Sequence, residues 1–314
     1  MKYKFIKALE NNDLNEMRQI PKSDLHNHSA RGGNIKYIED WAGKIIPRPT
    51  TKFKNLHDMQ QWNNQNINPI FRGTLGYEKR IEAAFVQVQN DGVRVLNMSI
   101  SSDVIFYYGY RVENLINLLK RIHHSFAPNV IFIPEIGFKA VTSIDIMSEL
   151  LDAFLAKEYF KSIDIYGNEF SVITFKKVFR KAKEKGLILK AHVGEFGNAE
   201  LVREAVEELE LNQVQHGIAA ANSKSVMKWL SDNKIQLNIC PTSNVLLNRV
   251  KNYKVHPIRK LYDYGVKVTI NTDDMLIFNQ SVSEEFLNLY NAGVFNPAEL
   301  DEIRRNGLLG NFHI

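Results

Sequence analysis

Eight short segments, most of them rich in apolar and β-branched residues, recur along this 314-residue chain, and helical patterns separate them. The runs span residues 23–28, 93–100, 130–136, 162–166, 187–193, 213–216, 236–240 and 267–271. Several are apolar nearly throughout, which is typical of strands covered on both faces. Strands that alternate with helices predict a parallel α/β fold, and eight is the number that closes a barrel. We therefore predict a (β/α)8 TIM-type barrel, with a doubly wound open sheet as the alternative.

The sequence indicates one domain, because it contains no internal repeat and no low-complexity linker. We predict a single barrel domain over residues 1–314, in which residues 1–20 form an N-terminal helical extension. Residues 45–76 make a long insertion between the first two predicted strands and carry three prolines and an Asn/Gln-rich stretch. An insertion at this position is often a lid, so we predict a lid here. The alternative is a disordered loop, which its apolar side chains disfavour.

Composition limits the classes of partner that this chain can have. Apolar residues make up 44% and charged residues 24%, as in a soluble globular protein. No run approaches the roughly 18 apolar residues of a transmembrane helix, so we expect no membrane partner. The net charge of +5 comes from scattered basic residues, and we expect no nucleic-acid partner. The chain start lacks the apolar core of a signal peptide and Cys240 is the one cysteine, so we expect a cytoplasmic protein. A homo-oligomer is left open.

Three histidines and one aspartate stand at C-terminal ends of predicted strands, which converge on one mouth of a barrel. His26 and His28 alternate along the first strand, so both imidazoles face the same way. His192 ends the fifth strand and Asp273 ends the eighth. Singly, such residues are more often hydrogen-bonded surface histidines or acids that cap a turn. Together they form an N3O ligand set with one open position, as a catalytic zinc requires, and we predict this metal site at the mouth.

Three further polar residues accompany the predicted ligands. Glu195 follows His192 by three residues, His216 ends the sixth strand, and Asp274 follows Asp273. Carboxylates and imidazoles beside a metal orient its ligands and transfer protons. We therefore predict that these three side chains perform the acid–base chemistry.

Several motifs resemble those of the adenosine deaminase family of the amidohydrolase superfamily. They are PKSDLHNH (21–28), SIDIYGNE (162–169), HVGE (192–195), QHG (215–217), CPTSN (240–244), HPI (256–258), TINTDDMLIF (269–278) and RRNGLLGNF (304–312). They run in order from residue 21 to near the end of the chain. On these motifs the chain is identified as a divergent member of bacterial type.

The resemblance implies a role for each matching residue. One zinc ion per chain would be bound by His26, His28, His192 and Asp273. Glu195 would protonate the ring nitrogen next to the attacked carbon, and His216 would orient and help to deprotonate the attacking water. Asp274 would hydrogen-bond the purine or the hydroxide, and the backbone N–H of Gly167 would meet another ring nitrogen. Glu195 must then be protonated, so we expect burial to raise its pKa.

The implied reaction is the zinc-dependent hydrolytic deamination of adenosine or a related aminopurine, with release of ammonia. The zinc ligands HxE and PCxxC of the other deaminase type are absent. Two alternatives stay open at this point. One is a superfamily hydrolase acting on an amide, ester or lactone, and the other is a non-catalytic binding or signalling protein that kept the barrel. The choice of zinc over another divalent ion rests on the habit of the family.

The chain departs from the family pattern after its first motif. The family continues HxH with Leu, then Asp or Asn, then Gly, and its acidic residue grips a ribose hydroxyl; here the residues are Ser29, Ala30 and Arg31. Met275 stands where the family usually has proline. We therefore predict that unmodified adenosine is a mediocre substrate. Arg31 is the candidate for binding an anionic group of the substrate, and a solvated loop arginine is the alternative.

Overall fold

Eight parallel strands form the centre of the molecule in this computed structural model, which describes residues 1–308. They are β1 (Lys22–His28), β2 (Val93–Ser101), β3 (Ile131–Lys139), β4 (Ser162–Tyr166), β5 (Ile188–Val193), β6 (Gln213–His216), β7 (Gln236–Ile239) and β8 (Lys267–Ile270). Each strand pairs with the next along the chain. Asp273 N donates to His26 O at 2.9 Å, which joins the ends of β8 and β1. The predicted (β/α)8 barrel is confirmed, and the open sheet is excluded.

Helices connect the strands and cover the outside of the barrel. They are α1 (Lys2–Glu10), α2 (Leu14–Arg18), α3 (Ile35–Ala42), α4 (Leu56–Asn66), α5 (Gly73–Asn90), α6 (Val112–Phe126), α7 (Ile144–Leu155), α8 (Lys176–Glu184), α9 (Ala199–Leu209), α10 (Lys224–Asp232), α11 (Pro241–Leu246), α12 (Ile258–Asp263), α13 (Met275–Phe278), α14 (Val282–Asn291) and α15 (Pro297–Leu308). Short 3-10 segments lie at Asn68–Ile70, Ser102–Tyr108, Glu169–Phe175, Ile218–Asn222 and Tyr253–Val255. Across residues 1–308, no helix has the length and apolar character needed to cross a bilayer.

Helix α9 shows why these segments are helical. Val202, Val206 and Leu209 recur at helical spacing and are buried against the barrel. Burial of each such side chain contributes about 1.5–3 kcal/mol. Asn198 begins the helix by accepting a hydrogen bond from Leu201 N at 2.8 Å. The chain leaves the helix at Glu210, which has a left-handed φ of 53°.

The interior of the barrel contains a buried ion pair below the mouth. Lys190 Nζ lies 3.0 Å from Glu135 Oε2 and donates to Leu25 O at 2.8 Å. Ser162 Oγ donates to the same Glu135 oxygen at 2.8 Å. Lys190 precedes His192 by two residues on β5, so both side chains point to the same face of the strand. The floor beneath the mouth is therefore polar and fully buried.

The predicted N-terminal extension (residues 1–20) and the predicted lid insertion (residues 45–76) both contain helices. Residues 1–20 contain α1 and α2, and Phe5 packs edge-to-face on Phe286 with ring centroids 5.4 Å apart. Residues 45–76 contain α4, whose Met59 packs with Phe53 and Leu247 near the mouth. Helix α4 therefore covers part of the mouth, and its movement as a lid stays a prediction. Of the motif at 304–312, residues 304–308 belong to α15 and 309–312 lie outside the described residues.

Candidate active site and metal centre

The strand ends at the barrel mouth hold two residues in an uncommon backbone conformation. His216 has a backbone φ of +66° and Asp273 a backbone φ of +64°, values that residues other than glycine seldom adopt. Such conformations cost on the order of 1–3 kcal/mol each and occur often at functional sites. Backbone hydrogen bonds across the closing strands hold Asp273 in this position. The turns after β6 and β8 therefore place these side chains at the cost of some backbone strain.

Three histidine rings meet at the mouth. The ring centroid of His26 lies 5.4 Å from that of His28 and 4.7 Å from that of His192, and His28 and His192 are 5.2 Å apart. One nitrogen of each ring lies within 4.8 Å of the other two. His26 is completely buried, and His28 and His192 expose about a tenth of their side chains. The structure thus brings together the three predicted imidazole ligands.

Hydrogen bonds behind the rings select which nitrogen of each imidazole can bind a cation. His192 Nδ1 lies 3.1 Å from Asp164 Oδ1, and His26 Nδ1 lies 3.2 Å from Asn238 O. Both partners are acceptors, so each Nδ1 carries its proton and each Nε2 keeps a lone pair. The two Nε2 atoms are 3.0 Å apart. Two lone pairs at that distance repel each other, and a cation bound by both removes the repulsion.

Asp273 completes the predicted ligand set. Its Oδ1 lies 3.3 Å from His28 Nε2 and 3.8 Å from His26 Nε2. Ser243 Oγ donates to Oδ2 at 2.7 Å and so orients the carboxylate. Ligands of a tetrahedral zinc ion with bonds of about 2.1 Å lie about 3.4 Å apart. The spacing of these nitrogen and oxygen atoms therefore fits one small divalent ion.

Glu195 and His216 lie next to this ligand set. His216 Nε2 is 3.5 Å from Glu195 Oε2 and 3.8 Å from Asp273 Oδ2. Asn244 Nδ2 donates to Glu195 Oε1 at 2.9 Å and lies 3.2 Å from His216 Nδ1. Burial, reinforced by the negative charges of Asp273 and Glu169, raises the pKa of Glu195 well above its usual value. Burial also lowers the pKa of His216 to about 3. Burial therefore favours the protonated form of the Glu195 carboxyl group and the neutral form of the His216 imidazole beside it.

The sequence reasoning assigned no role to Glu169, which holds the loop carrying Glu195. Its two carboxylate oxygens accept hydrogen bonds of 2.7–3.0 Å from four consecutive backbone N–H groups, those of Gly194, Glu195, Phe196 and Gly197. Glu169 follows β4, more than twenty residues away in sequence, and is buried. Four orphan N–H groups at the start of a loop require an acceptor, and this carboxylate supplies it.

Glu169→Ala is expected to lower the free energy of unfolding by about 2–4 kcal/mol, because four buried donors lose their shared acceptor. Urea denaturation of the purified variant measures the change. Glu204→Gln is the matched control, since Glu204 lies exposed on α9 and should shift the midpoint very little. Equal stability of both variants would show that the four N–H groups do not depend on Glu169.

Arg31 and Asp274 form an ion pair in the cavity wall. Arg31 Nε lies 2.8 Å from Asp274 Oδ2, and Arg31 Nη1 donates to Gln60 Oε1 of α4 at 3.3 Å. Asp274 Oδ1 is buried and accepts no hydrogen bond from residues 1–308. Arg31 is therefore not a solvated loop arginine, and its charge already has a carboxylate partner. Asp274 keeps one oxygen for another ligand.

A cavity of about 1040 Å³ opens above the ligand set. Gly167 lines it with a φ of +109°, a conformation that favours glycine. Tyr166 also lines it and packs edge-on against His28, at 5.7 Å between ring centroids. The predicted residues that line this cavity are His28, Arg31, Gly167, His192, Glu195, His216, Asp273 and Asp274. All predicted site residues except the fully buried His26 therefore line one continuous cavity.

Two other residues of the quoted motifs lie apart from that space. Cys240, at the end of β7, is fully buried, with its sulfur within 4.8 Å of ring nitrogens of His26 and His216. Burial raises the pKa of its thiol well above the usual value. His256 is buried, and its Nδ1 accepts from Ile258 N at 3.1 Å at the start of α12. The HPI motif therefore has a structural position outside the cavity.

Comparisons with known proteins agree with this geometry. The family model described as adenosine deaminase matches residues 140–313. A Treponema pallidum protein named as an adenosine/adenine deaminase is 31% identical over 292 residues, covering 92% of this chain and 98% of that one. The crystal structure of an adenine deaminase from Arthrobacter aurescens has a TM-score of 0.81 at 23% identity, covering 94% of both chains. A Burkholderia ambifaria amidohydrolase with bound Zn has a TM-score of 0.75 at 18% identity, covering 93% of this chain and 85% of that one.

Proposed function

Because the chain belongs to the adenosine deaminase family of hydrolytic deaminases, we propose that its barrel mouth binds one zinc ion and deaminates adenosine or a related aminopurine. The observation that carries the proposal is the convergence of three imidazoles and one carboxylate beside Glu195 and His216. Membership of this family also excludes the non-catalytic barrel that the sequence left open. The amide, ester or lactone hydrolase has no comparable support.

The reaction balances with water as the only second reactant. A water oxygen bonds to the ring carbon that carries the amino group, the C–N bond breaks, and the nitrogen leaves as ammonia. The oxygen of the water stays on the purine as a carbonyl. Attack on this carbon breaks aromaticity, and a proton placed on the adjacent ring nitrogen offsets that cost.

The ion would be held by His26, His28, His192 and Asp273. When bound there, it supplies a nucleophile at neutral pH by lowering the pKa of water to about 7. This ligand set would also accept other divalent ions, so zinc is the family's choice among them. A homologous fold with bound Zn is consistent with it.

The remaining proton transfers are assigned to side chains of this chain. Burial favours the protonated form of Glu195, which would donate its proton to the ring nitrogen. Burial favours the neutral form of His216, which would orient the attacking water and help to deprotonate it. Asp274 Oδ1, which accepts nothing from residues 1–308, is available to a hydrogen on the nucleophile or on the purine. The N–H of Gly167 faces a second ring nitrogen in this proposal.

Incubation of the zinc-loaded protein with a panel of purines tests the proposal. We expect one ammonia for each oxopurine formed with at least one of adenosine, adenine and adenosine monophosphates. Coupled detection of ammonia and the ultraviolet change of the purine measure the two products independently. Absence of ammonia from every aminopurine, in protein with one metal ion per chain, would overturn the proposed function.

A further inference from the structure

Helix α5 places a buried arginine in the wall of the cavity. Arg80 is 9% exposed and lines the same space as the metal ligands. Its Nη1 donates to Ala30 O at 2.6 Å, and its Nη2 donates to Asn68 Oδ1 at 3.0 Å. The guanidinium lies over the ring of Phe71 at 4.0 Å. These contacts fix the position of the guanidinium. One of them is made to Ala30, which follows the proposed metal ligand His28 by two residues.

Nothing among residues 1–308 neutralises this charge directly. No carboxylate lies within 4.0 Å of Arg80, whereas the buried Lys190 and Arg304 contact carboxylates at 3.0 and 2.7 Å. Both partners of Arg80 are neutral oxygens. Burial and the neighbouring Arg31 charge lower the pKa of Arg80 to about 10, so it stays protonated at neutral pH. A buried cation without a counter-ion is costly, and a bound anion removes that cost.

The free N–H groups of Arg80 suit a phosphate. A guanidinium has five N–H groups, and two of them donate to Ala30 and Asn68, which leaves three. Phe71 covers one face of the guanidinium, so a ligand reaches its edge. Edge-on contact with two parallel N–H groups is how arginine binds phosphate most strongly.

The position of Arg80 is consistent with the replacement of the family's acidic residue by Ala30 in this chain. The family's acidic residue at this point grips a ribose hydroxyl and would repel a phosphate on the sugar. Here Ala30 has no charge, and its carbonyl is the oxygen that orients Arg80. Arg31 cannot take the same role so readily, because Asp274 is its partner at 2.8 Å. The cavity of about 1040 Å³ is also far larger than a free purine base needs.

We propose that Arg80 binds a phosphate group on the sugar of the substrate, which makes the preferred substrate an aminopurine nucleoside monophosphate. This inference rests on the proposed deaminase function and names the substrate class of the same site. It replaces Arg31 by Arg80 as the residue that recognises an anion.

Steady-state kinetics of the wild-type zinc enzyme give the first test. We expect kcat/KM for 5′-AMP or 3′-AMP to exceed that for adenosine and adenine by roughly tenfold to a hundredfold, the size of one strong charged contact. The two isomers locate the phosphate. Deamination of adenosine or adenine without any advantage for either monophosphate would overturn the inference and leave the proposed function intact. Failure with every aminopurine would overturn both.

Variants at position 80 separate recognition from structural support. Arg80→Gln should remove the preference for the monophosphate, while Arg80→Lys, which keeps a point charge, should retain part of it. Arg121→Gln is the matched control, since Arg121 lies exposed on α6 and pairs with Glu78 at 3.0 Å. An equal loss for adenosine and monophosphate in Arg80→Gln would show that Arg80 only supports the wall.

A binding measurement on the wild-type protein tests the inference even if the variants at position 80 fold poorly. IMP should raise the melting temperature of the wild-type zinc enzyme more than inosine does, because a ligand stabilises the fold according to its affinity and neither product is turned over further. Inorganic phosphate serves as the third ligand. Equal shifts of the melting temperature with IMP and inosine would contradict the inference. Faster deamination of adenosine in the presence of inorganic phosphate would also contradict it, because Arg80 would then bind a separate anion and not the substrate.

Discussion

Replacement of Glu195 by Gln is expected to lower kcat by about a hundredfold to ten-thousandfold, the usual loss when a general acid is removed. Gln fills the same volume, and its oxygen can still accept the hydrogen bond from Asn244 Nδ2. It cannot give a proton to the ring nitrogen. The metal content and the free energy of unfolding should therefore stay close to those of the wild type.

The measurement pairs turnover with metal analysis on the same preparation. Glu200→Gln is the matched control, because Glu200 lies exposed in the first turn of α9 and should leave turnover unchanged. Since burial raises the pKa of Glu195, the protonated acid persists to a higher pH than in an exposed glutamate, and activity should fall as the pH rises through the pKa of Glu195. Wild-type turnover by Glu195→Gln would refute its role as the proton donor.

Loss of the metal should have an even larger effect than loss of the acid. Protein stripped with a chelator is expected to lose detectable deamination, and one equivalent of Zn²⁺ per chain should restore it. The reason is the ligand geometry, in which His26 Nε2 and His192 Nε2 stand 3.0 Å apart with lone pairs facing one another. Stripping should also lower the melting temperature, because an ion at a thousandfold excess over its Kd stabilises the fold by about 4 kcal/mol.

A single substitution separates this effect from damage by the chelator. His192→Ala should reduce both the bound metal and the turnover, while His124→Ala, at an exposed position on α6, should change neither. Elemental analysis of protein that has never met a chelator gives the stoichiometry. Two ions per chain, or full activity with none, would contradict the one-ion site.

The barrel could be predicted from the sequence because its strands are short buried segments separated by helical periodicity. All eight strands lie within two or three residues of their predicted bounds. The convergence of the proposed metal ligands could be predicted for a related reason. His26, His28, His192 and Asp273 stand at strand ends, and a parallel barrel brings all those ends to one mouth. The position of each of these residues at a strand end was therefore enough to predict that their side chains lie close together.

Other parts of the site could not be predicted, because they depend on contacts between segments distant in sequence. Glu169 meets the loop of Glu195 across twenty-five or more residues, and Arg80 meets Ala30 across fifty. Glu169 ends the quoted motif at 162–169, but the local sequence does not show that it accepts hydrogen bonds from a distant loop, and no motif includes Arg80. Arg31 illustrates the opposite case: its sequence position suggested a free cation, and the fold supplies Asp274 as its partner.

Cys240 gives this enzyme an internal reporter of local unfolding. It is the one thiol of the chain, it is fully buried, and its sulfur lies within 4.8 Å of ring nitrogens of His26 and His216. A thiol reagent can reach it only when the floor of the mouth opens, so the labelling rate measures the free energy of that opening. Labelling followed by mass spectrometry can thus compare how often the catalytic floor opens with how often the whole barrel unfolds, without any engineered probe.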